Sequence, residues 1–367
     1  MENNFLPSDS ASGVTPSNSS LLVLNYVMDL NHPALSHQVE VVRELGKYFT
    51  DVHVLTGRKS WDSDSNNIRV DSTNWRPGHN LRNIARLYLR TFITLRRFPV
   101  SIVFSHMTLV QSALLAPVFK ALGIKHFVWY AHAQNSIFLK WVHLWVDGIF
   151  TSTIGSCPIK SGKIIYLGQG VDPSLFIGGV LKNAPIKKLV HFGRVDPSKD
   201  ISTIILAVQN LRRENENFHL DIVGSPSSES SKRYLLSLEQ KWEREIKSGW
   251  LQFKPSIPRS EIPEMLKSYD CFIHAFKGSL DKTLIEATLS LLPVITLNQE
   301  YLREFTKYEE FSNISLEAQL RELVSTPQEL VNQMLESRKA YASHNHSLSR
   351  WTRELATVLI AGSSKTH

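Results

Sequence analysis

The sequence of 367 residues predicts a two-domain protein of the parallel α/β class. Strand-like apolar runs alternate with segments of helical periodicity along the chain, which is typical of parallel sheets covered by helices. The length fits two domains on a prior of ~150 residues each. A stretch with Gly178, Gly179 and Pro185 separates two such series, so Phe176–Lys187 is predicted to be the linker.

The first series of elements is predicted over residues 21–176. Its strands are short runs rich in branched and aromatic residues, and its helices repeat apolar residues every three to four positions. Residues 1–20 contain six Ser and three Asn, so they are predicted to be a disordered tail. The predicted strands are 21–27, 52–56, 68–70, 100–104, 125–130, 148–152 and 163–167, and the predicted helices are 36–49, 80–97, 109–122 and 137–146.

The second series is predicted over residues 188–345. The same alternation of strand and helix patterns defines it. We expect a last amphipathic helix, over 347–360, to cross back and brace the first domain. The predicted strands are 188–192, 218–223, 251–253, 271–274 and 294–297, and the predicted helices are 199–214, 229–247, 260–268, 283–291, 315–324 and 327–343.

Composition narrows the functional classes. A formal charge of +7, from 41 Lys+Arg and 34 Asp+Glu, favours anionic small molecules or an anionic membrane over a dedicated nucleic-acid-binding role. The two cysteines, Cys157 and Cys271, have no Cys/His cluster around them, so we expect buried thiols rather than disulfides or zinc. The sequence shows neither a signal peptide nor a run of ~18 apolar residues that would span a bilayer. These features predict a cytoplasmic protein.

The strongest motif runs from Val190 to Asp200. A buried strand ends at Gly193, Arg194 follows it, and Lys199 comes at the start of the next helix. Ligands of open α/β sheets bind at the carboxyl ends of the strands, where helix N-termini favour anions. Two cations there suit a pyrophosphate, which must be held and then stabilised as it leaves. The alternative is a polar strand-to-helix turn without function.

A second motif lies about ninety residues later. A flexible turn from Gly278 to Thr283 leads into a short helix that carries one acid, Glu286, on an otherwise apolar face. A carboxylate there can accept both vicinal hydroxyls of a ribose, and the N–H groups of the turn can face phosphate. The alternative is a structural salt bridge, since a lone buried acid is costly unless it is paired.

The order of these motifs resembles the donor domain of GT-B glycosyltransferases, specifically the large retaining family 4, or group 1. The segment from Ile165 to Phe176 (Ile-Tyr-Leu-Gly-Gln-Gly-Val-Asp, then Phe) is similar to that family's interdomain signature. The resemblance covers roughly residues 21–360. It implies two Rossmann-like α/β/α domains facing across a cleft, with an acceptor domain over 21–176 and a nucleotide-sugar donor domain over 188–345.

The resemblance implies a nucleoside-diphosphate sugar of the UDP or GDP type as donor substrate, with no permanently bound cofactor and no required metal. Arg194 and Lys199 would contact the donor diphosphate, and Glu286 would hold the ribose. The nucleobase would lie against the backbone near 254–257. The turn residues that would complete the donor site are Gly278, Ser279, Asp281, Lys282 and Thr283.

Two positions depart from the family pattern. Family members usually carry a Glu-x7-Glu pair, and the first Glu aligns with Gly278, which puts the contacts to the donor sugar in doubt. The local Gly-Ser-Leu-Asp-Lys-Thr resembles a variant in which Asp281 takes a polar role. The loop 28–37 replaces the Gly-Gly loop of many relatives and has no glycine, so we expect no close approach of its backbone to phosphate.

In the first domain, His132 follows a predicted strand and resembles the family's acceptor-side histidine, which touches the sugar near the reacting carbon. His106 is a weaker candidate of the same kind. For both residues the alternative is a buried or capped histidine that has no catalytic role. The resemblance thus implies catalytic roles for His132, Arg194 and Lys199.

The predicted helix 80–97 is basic and amphipathic. Arg82, Arg86 and Arg90 are spaced at four-residue intervals, and Leu81, Ala85, Tyr88, Leu89, Phe92 and Ile93 supply an apolar side. Such a helix can rest on anionic lipid, which would suit an enzyme that glycosylates a membrane-linked acceptor. The alternative is an ordinary surface helix with a solvated basic face.

The sequence therefore predicts a retaining glycosyltransferase that moves a sugar to a hydroxyl acceptor in glycan, polysaccharide or glycolipid assembly. The acceptor would be a glycan, a lipid-linked molecule or a small molecule. A non-catalytic GT-B scaffold in a glycan assembly complex is the main alternative, supported by Gly278 and the altered loop 28–37. A sugar-nucleotide epimerase of the same fold is a second one.

Overall fold

The computed structural model describes residues 17–32, 35–76, 78–177, 179, 181, 185–214, 217–306 and 315–363. These residues form two compact units. Unit 1 contains the described residues up to Gly170 and those from Leu348 onward, and unit 2 is Val171–Ser347. Each unit is built on a parallel sheet, which confirms the predicted α/β class.

The described elements follow the predicted alternation of strand and helix. Up to Gly170 they are β1 (Ser17–Met28), α1 (His37–Leu45), β2 (Phe49–Lys59), β3 (Ile68–Ser72), α2 (Asn80–Arg97), β4 (Val100–His106), α3 (Leu109–Ala121), β5 (Lys125–Trp129), α4 (Ile137–Trp145), β6 (Gly148–Thr151) and β7 (Ile164–Tyr166). They continue with β8 (Lys188–Phe192), α5 (Ile201–Arg213), β9 (His219–Val223), α6 (Glu229–Lys241), α7 (Glu243–Lys247), β10 (Leu251–Lys254), α8 (Ile262–Lys267), β11 (Cys271–His274), α9 (Lys282–Leu289), β12 (Val294–Thr296), α10 (Gln299–Phe305), α11 (Leu316–Ser325), α12 (Gln328–Asn345) and α13 (Leu348–Ser363).

The sheet of unit 1 has the order β3-β2-β1-β4-β5-β6-β7. Side chains of a strand alternate between the two faces of the sheet. Leu21 and Val23 of β1 accordingly pack in one core with α1 and α13, whereas Leu22 and Leu24 pack in another with Leu87 of α2 and with α3. A third core joins α3 and α4 to β5 and β6. Helices α2, α3 and α4 therefore share one face of the sheet.

Helix α13 belongs to the core of unit 1. Its residues Trp351, Leu355 and Leu359 are buried in the same cluster as Val39 and Val42 of α1. The last helix of the chain thus packs with the first one, although more than 300 residues separate them in sequence.

Unit 2 has a five-stranded sheet in the order β10-β9-β8-β11-β12. One core packs α5 and α11 against it, with Ile204 and Leu320 fully buried. The opposite core contains Leu284 and Ile285 of α9 together with Phe272 of β11. Strand β8 lies between β9 and β11. The strands after β8 are added first on one side of it (β9, β10) and then on the other (β11, β12), so β8 is the reversal point of the sheet.

Several boundaries differ from the sequence prediction. Strand β1 begins at Ser17, so residues 17–20, expected in the tail, pair with β2; residues 1–16 lie outside the described residues. Helix α1 ends at Leu45 with Gly46 as its C-cap, where a side chain would meet Ile68 at 2.8 Å. Phe49, expected to end that helix, opens β2. Helix α10 was not predicted, and the predicted helix 229–247 is two helices.

The units divide between Gly170 and Val171, ahead of the expected linker. Val171 and Phe176 are buried with Phe192 and Phe272, which assigns them to unit 2. Positions 178, 180 and 182–184 of that linker lie outside the described residues.

Cys157 and Cys271 are buried free thiols, as predicted. In the described stretches no helix has the length and hydropathy to cross a bilayer.

Candidate functional site

The predicted donor motifs meet at the carboxyl edge of the unit 2 sheet. Strands β8 and β11 pair directly, and each is followed at this edge by one motif, Gly193–Lys199 after β8 and Gly278–Thr283 after β11. In open α/β sheets the crevice outside such a reversal point is the usual place for a ligand.

The loop after β8 is held against the loop after β9. Gly193 has a φ of +146°, and a side chain at Gly224 would lie 1.7 Å from the Gly193 carbonyl oxygen. Only glycine tolerates this close approach of two backbones. Arg194, which follows immediately, is exposed at this edge.

Lys199 lies in a short 3-10 turn, Pro197–Lys199, ahead of α5 rather than inside it. Asp196 caps the turn by accepting hydrogen bonds from the N–H and the hydroxyl of Ser198, at 3.0 and 2.7 Å. Burial alone would raise the pKa of Asp196, but its hydrogen bonds and Arg194 hold the pKa below its ordinary value. Asp200 follows in the left-handed region at φ 49°, which separates the turn from α5 and corrects the predicted helix start.

The ammonium of Lys199 is buried and contacts a carboxylate and an aromatic ring. It forms an ion pair with Asp281 and lies 4.3 Å from the centre of the Phe276 ring. Lys199 is 8% exposed. The structure therefore brings together two of the predicted donor-site residues, Lys199 and Asp281, which are 82 positions apart in sequence.

A chain of hydrogen bonds runs from Asn298 through Thr296 and His274 to Asp281. The backbone N–H of Asn298 donates to the Thr296 hydroxyl at 3.0 Å, and that hydroxyl lies 3.0 Å from Nδ1 of His274. Nε2 of His274 lies 3.3 Å from Asp281. This pattern assigns a neutral tautomer in which Thr296 donates to Nδ1 and Nε2–H donates to Asp281.

The protonation states agree with this network. Burial lowers the pKa of His274, which leaves the ring neutral at neutral pH. Burial also lowers the pKa of the neighbouring His191 to about 3. For Asp281, burial alone would raise the pKa, but Lys199 and the hydrogen bond from His274 hold it well below its usual range. The site thus carries a fixed carboxylate paired with a fixed ammonium.

The turn 276–279 is fixed by one side chain. The buried Asn298 amide donates to the carbonyl oxygens of Phe276, Gly278 and Ser279, at 3.0, 3.2 and 3.0 Å. Its Oδ1 also caps α10 by accepting from the Tyr301 N–H. Asn298 thus holds three carbonyls of the turn that the sequence predicted to be flexible.

Two further predicted residues open α9. Lys282 and Thr283 occupy its first turn, and the Thr283 hydroxyl oxygen is buried without a hydrogen-bond partner among the described residues. Thr283 also lies beside the Gly193 loop, since a side chain at Gly193 would meet its methyl carbon at 3.9 Å. A buried orphan hydroxyl at a sheet edge is a position that a ligand or a water can satisfy.

Glu286 lies on α9 as predicted and is almost fully buried. Its Oε1 is 2.9 Å from Nη1 of Arg259, in the 3-10 turn Arg259–Glu261 after β10. The structural salt bridge considered from sequence is therefore present. The predicted nucleobase segment 254–257 precedes Arg259 directly, and the Lys254 carbonyl accepts from the Gly224 N–H at 2.9 Å.

The predicted acceptor-side residues lie at the carboxyl edge of the unit 1 sheet. His132 is exposed and its ring contacts Tyr130 edge-on, 5.4 Å between centroids. His106 is buried among aromatic rings, including Trp129 and Trp351. That burial fits the non-catalytic alternative for His106. In the loop 28–37, residues 33 and 34 lie outside the described residues.

Sequence reasoning missed Arg259, His274, Thr296 and Asn298. His274 and Thr296 each end an apolar strand run, Asn298 follows the second of these runs, and Arg259 lies in a polar turn, so the sequence analysis gave none of them a role in the site. A buried polar residue next to a predicted strand end was the available signal for His274 and Asn298. Among the described residues, no group of three His, Cys, Asp or Glu side chains could hold a metal ion.

Comparisons with known proteins agree with the predicted fold and family. Residues 179–341 match the family model described as glycosyl transferases group 1. No curated protein matches the chain in a sequence search.

Solved structures match nearly the whole chain at low identity. A glycosyltransferase from Rickettsia africae shares 14% identity, with 96% of this chain and 100% of that chain covered and a TM-score of 0.68. HepE of Anabaena, solved in complex with UDP and glucose, shares 14% identity over 92% of this chain and 98% of that chain, with a TM-score of 0.69. Sucrose-phosphate synthase from Thermosynechococcus elongatus shares 13% identity over 93% and 98%, with a TM-score of 0.72. These likenesses confirm the predicted GT-B fold.

Proposed function

We propose that this chain, a group 1 glycosyltransferase of the GT-B fold through residues 179–341, transfers a sugar from a nucleoside-diphosphate sugar to a hydroxyl acceptor. The reaction would retain the anomeric configuration. The observation that carries the proposal is the meeting of Arg194, Lys199 and the α9 turn at the reversal point of the unit 2 sheet. The UDP-bound state of HepE, a protein of the same fold, supports the donor class.

The donor diphosphate would bind between Arg194 and Lys199. Arg194 is exposed and can form paired hydrogen bonds to phosphate oxygens. Lys199 has three N–H donors, so its pairing with Asp281 is compatible with further bonds to phosphate. Because the network of His274 and Asp281 fixes the ammonium before the donor arrives, little reorganisation is needed as negative charge develops on the leaving diphosphate.

The nucleoside would be read by Glu286 and the segment 254–257. Ribose hydroxyls would share the Glu286 carboxylate with Arg259, which keeps that buried acid paired in the absence of donor. The buried Thr283 hydroxyl and the backbone of Gly278, Ser279 and Lys282 would complete the donor site around the diphosphate.

His132 would orient the reacting sugar on the acceptor side. No carboxylate nucleophile is required in this proposal, because orientation of donor and acceptor and stabilisation of the leaving group supply the rate. The acceptor would be a glycan, a lipid-linked molecule or a small molecule in glycan assembly.

We further infer a cytoplasmic enzyme that touches an anionic membrane surface through α2. The helix buries Asn83, Leu87, Thr91 and Thr94, and it leaves Leu89 and Phe92 outward, 58% and 55% exposed. An exposed apolar stripe beside a row of arginines is typical of interfacial helices.

A thermal-shift panel of UDP, GDP, ADP and their common sugars tests the donor site. A ligand that binds only the folded chain raises Tm by mass action. We expect one nucleotide to raise Tm of the unaltered chain and not of Arg194→Ala, while Arg233→Ala, an exposed arginine of α6, responds like the unaltered chain. No shift with any nucleotide at millimolar concentration would contradict the proposal.

A non-catalytic GT-B scaffold is the second candidate, favoured by Gly278. A side chain at that position would meet the Phe276 ring at 2.2 Å, so in this conformation the ring fills the space of the acid that family members carry there. Hydrolysis or transfer of a stabilising NDP-sugar distinguishes the two candidates. A scaffold would bind the nucleotide and leave the sugar attached.

A further inference from the structure

We propose that an apolar groove on unit 1 holds the hydrocarbon chain of a phosphate-bearing lipid. The inference deepens and rests on the proposed glycosyl transfer, since it assigns the acceptor to the class of lipid phosphates. The groove lies between α2, α3 and α4 and has a volume of about 610 Å³.

The lining of the groove suits a hydrocarbon. Its walls include Trp75, Ile84, Leu114, Phe138 and Trp141. The indole N–H of Trp141 already donates to a backbone carbonyl at 3.0 Å, which leaves its ring as an apolar wall. The volume is within the ~300–1,000 Å³ of small-molecule sites. With Asn80 as the other polar contributor to the lining, the groove offers shape and apolar surface rather than hydrogen bonds.

The groove lies at the reactive edge of the sheet. In a parallel sheet the crossover helices begin at the carboxyl ends of the strands. Asn80, Val110 and Ile137 line the groove from the first turns of α2, α3 and α4, so the groove opens at the edge where His132 lies. A chain held there would present its head group on the side of the proposed acceptor histidine.

The charge of this face complements a phosphate. The 75 residues from 72 to 146 include nine Lys or Arg and no Asp or Glu. The nearest acids in sequence are Asp71 and Asp147. Arg82 and Arg86 of α2 and Lys140 of α4 are exposed within the first two turns of their helices, at the end where the groove lies. Arg96, Arg97 and Lys120 lie at the other ends of α2 and α3. A second copy of this chain would bring the same positive surface, and the two faces would repel each other. A phosphate-bearing lipid satisfies both the apolar groove and its cationic surroundings.

The surface around the groove is apolar as well. Leu81 of α2 and Ile137 and Leu144 of α4 are 85%, 78% and 66% exposed. Large aliphatic side chains at such exposure mark an interaction surface rather than a solvated one. Leu81 and Leu144 are three residues from the lining residues Ile84 and Trp141, so they continue the apolar surface beyond the groove.

Binding of n-butyl, n-octyl and n-dodecyl phosphate, measured by calorimetry below their aggregation concentrations, tests the groove without a bilayer. If each added methylene is buried, affinity rises about threefold to fourfold per methylene. Two variants should abolish the dependence on chain length. Val110→Asp places a charge in the groove at a helix position that favours acids, and Val110→Trp fills the groove without a charge. Leu206→Asp, a similarly exposed position on α5, is the control and should keep the dependence.

Affinity that is independent of chain length, or equal in both Val110 variants and the unaltered chain, overturns the inference. The inference is also overturned if the chain binds anionic vesicles but none of the alkyl phosphates. In that case the face is a membrane contact and not a lipid-binding groove. Dimerisation that Val110→Asp abolishes in sedimentation would assign the face to a second copy. The nucleotide thermal shift separates this failure from that of the proposed function. A shift that persists while alkyl phosphates fail keeps the transfer, and the reverse result keeps the groove.

Discussion

The carboxyl edges of the two sheets are built in opposite ways. In unit 2 the edge is a closed polar network, in which the buried Lys199 and His274 both bond to the partly buried Asp281. In unit 1 the edge exposes His132 beside an apolar groove in a stretch without acidic residues. The comparison shows two kinds of preparation for a ligand. The donor edge of unit 2 has charged side chains held in place for an anion, and the edge of unit 1 has an apolar groove for a larger partner.

The difference has an energetic reason. A buried ion pair gives up hydration on both partners, and the geometry must repay that cost. The network around Lys199 does so with hydrogen bonds on each member, and it gains an ammonium that needs no reorientation when a diphosphate binds. Hydrocarbon contacts need no such preparation, since burial of apolar area is non-directional.

Removal of the ammonium should have the largest combined effect on stability and nucleotide binding. Lys199→Met leaves the Asp281 carboxylate buried without its cation, and we expect a loss of about 3 kcal/mol in the free energy of unfolding. Nucleotide binding should disappear as well. Urea unfolding followed by circular dichroism measures the first effect, and the thermal-shift panel measures the second.

The double variant Lys199→Met/Asp281→Asn sharpens this test. It removes both charges, so most of the lost stability should return while nucleotide binding stays absent. Recovery of nucleotide binding in the double variant would contradict the assignment of Lys199 to the diphosphate. Equal stability of the single and double variants would show that the ion pair is not coupled.

The next effect concerns the turn that Asn298 fixes. Asn298→Ser keeps a cap for α10 but loses the amide that donates to three carbonyls, and we expect about 2 kcal/mol less stability and roughly tenfold weaker nucleotide binding. Asn298→Ala should cost about 1 kcal/mol more, because the cap is lost too. Nucleotide affinity by calorimetry separates the turn from the cap. Unchanged affinity in Asn298→Ser would show that the turn needs no clamp.

Acidification should destabilise the fold through one fully buried histidine in each unit. Burial lowers the pKa of His126 in unit 1 and of His191 in unit 2 to about 3, against an ordinary 6.5. The unfolded chain therefore binds more protons below pH 6.5, so stability is full above that pH and falls as the pH drops toward 3. Each histidine contributes a slope of about 1.4 kcal/mol per pH unit. Urea unfolding at pH 7.5, 6 and 5 should show a shallower slope in His126→Asn and in His191→Asn, and an unchanged slope in both would contradict the burial argument.

The sequence predicted what is local and missed what depends on strand neighbours. Arg194, Lys199 and Glu286 belong to short motifs, so their positions at one sheet edge followed from strand and helix patterns. The chain from Asn298 to Asp281 depends on β12 lying next to β11, and sequence periodicity does not encode that adjacency. Arg259 was missed for the same reason, since its partner Glu286 is on an element that follows another strand.

Helix α2 shows a second limit. Its periodicity predicted the helix over 80–97 with correct bounds, but the pattern could not say which side faces the sheet. The buried side is mostly polar. Asn83 makes this possible because its amide bonds to the backbone N–H and carbonyl of Arg76, at 3.0 and 2.7 Å. Two hydrogen bonds with a residue before the helix thus satisfy the amide that this orientation buries.

The smallest expected effect distinguishes the two sides of α2. Leu89→Ser changes an exposed residue, so the free energy of unfolding should shift by less than about 0.5 kcal/mol. Leu87→Ser, two positions earlier and 2% exposed, removes a core side chain and should cost about 3 kcal/mol. Urea midpoints of the two variants measure the contrast, and flotation with anionic vesicles should be weakened only by Leu89→Ser among variants that stay folded. A comparable loss of stability in Leu89→Ser would mean that the apolar side of α2 is covered within the folded chain, and the proposed membrane contact of α2 would then fail.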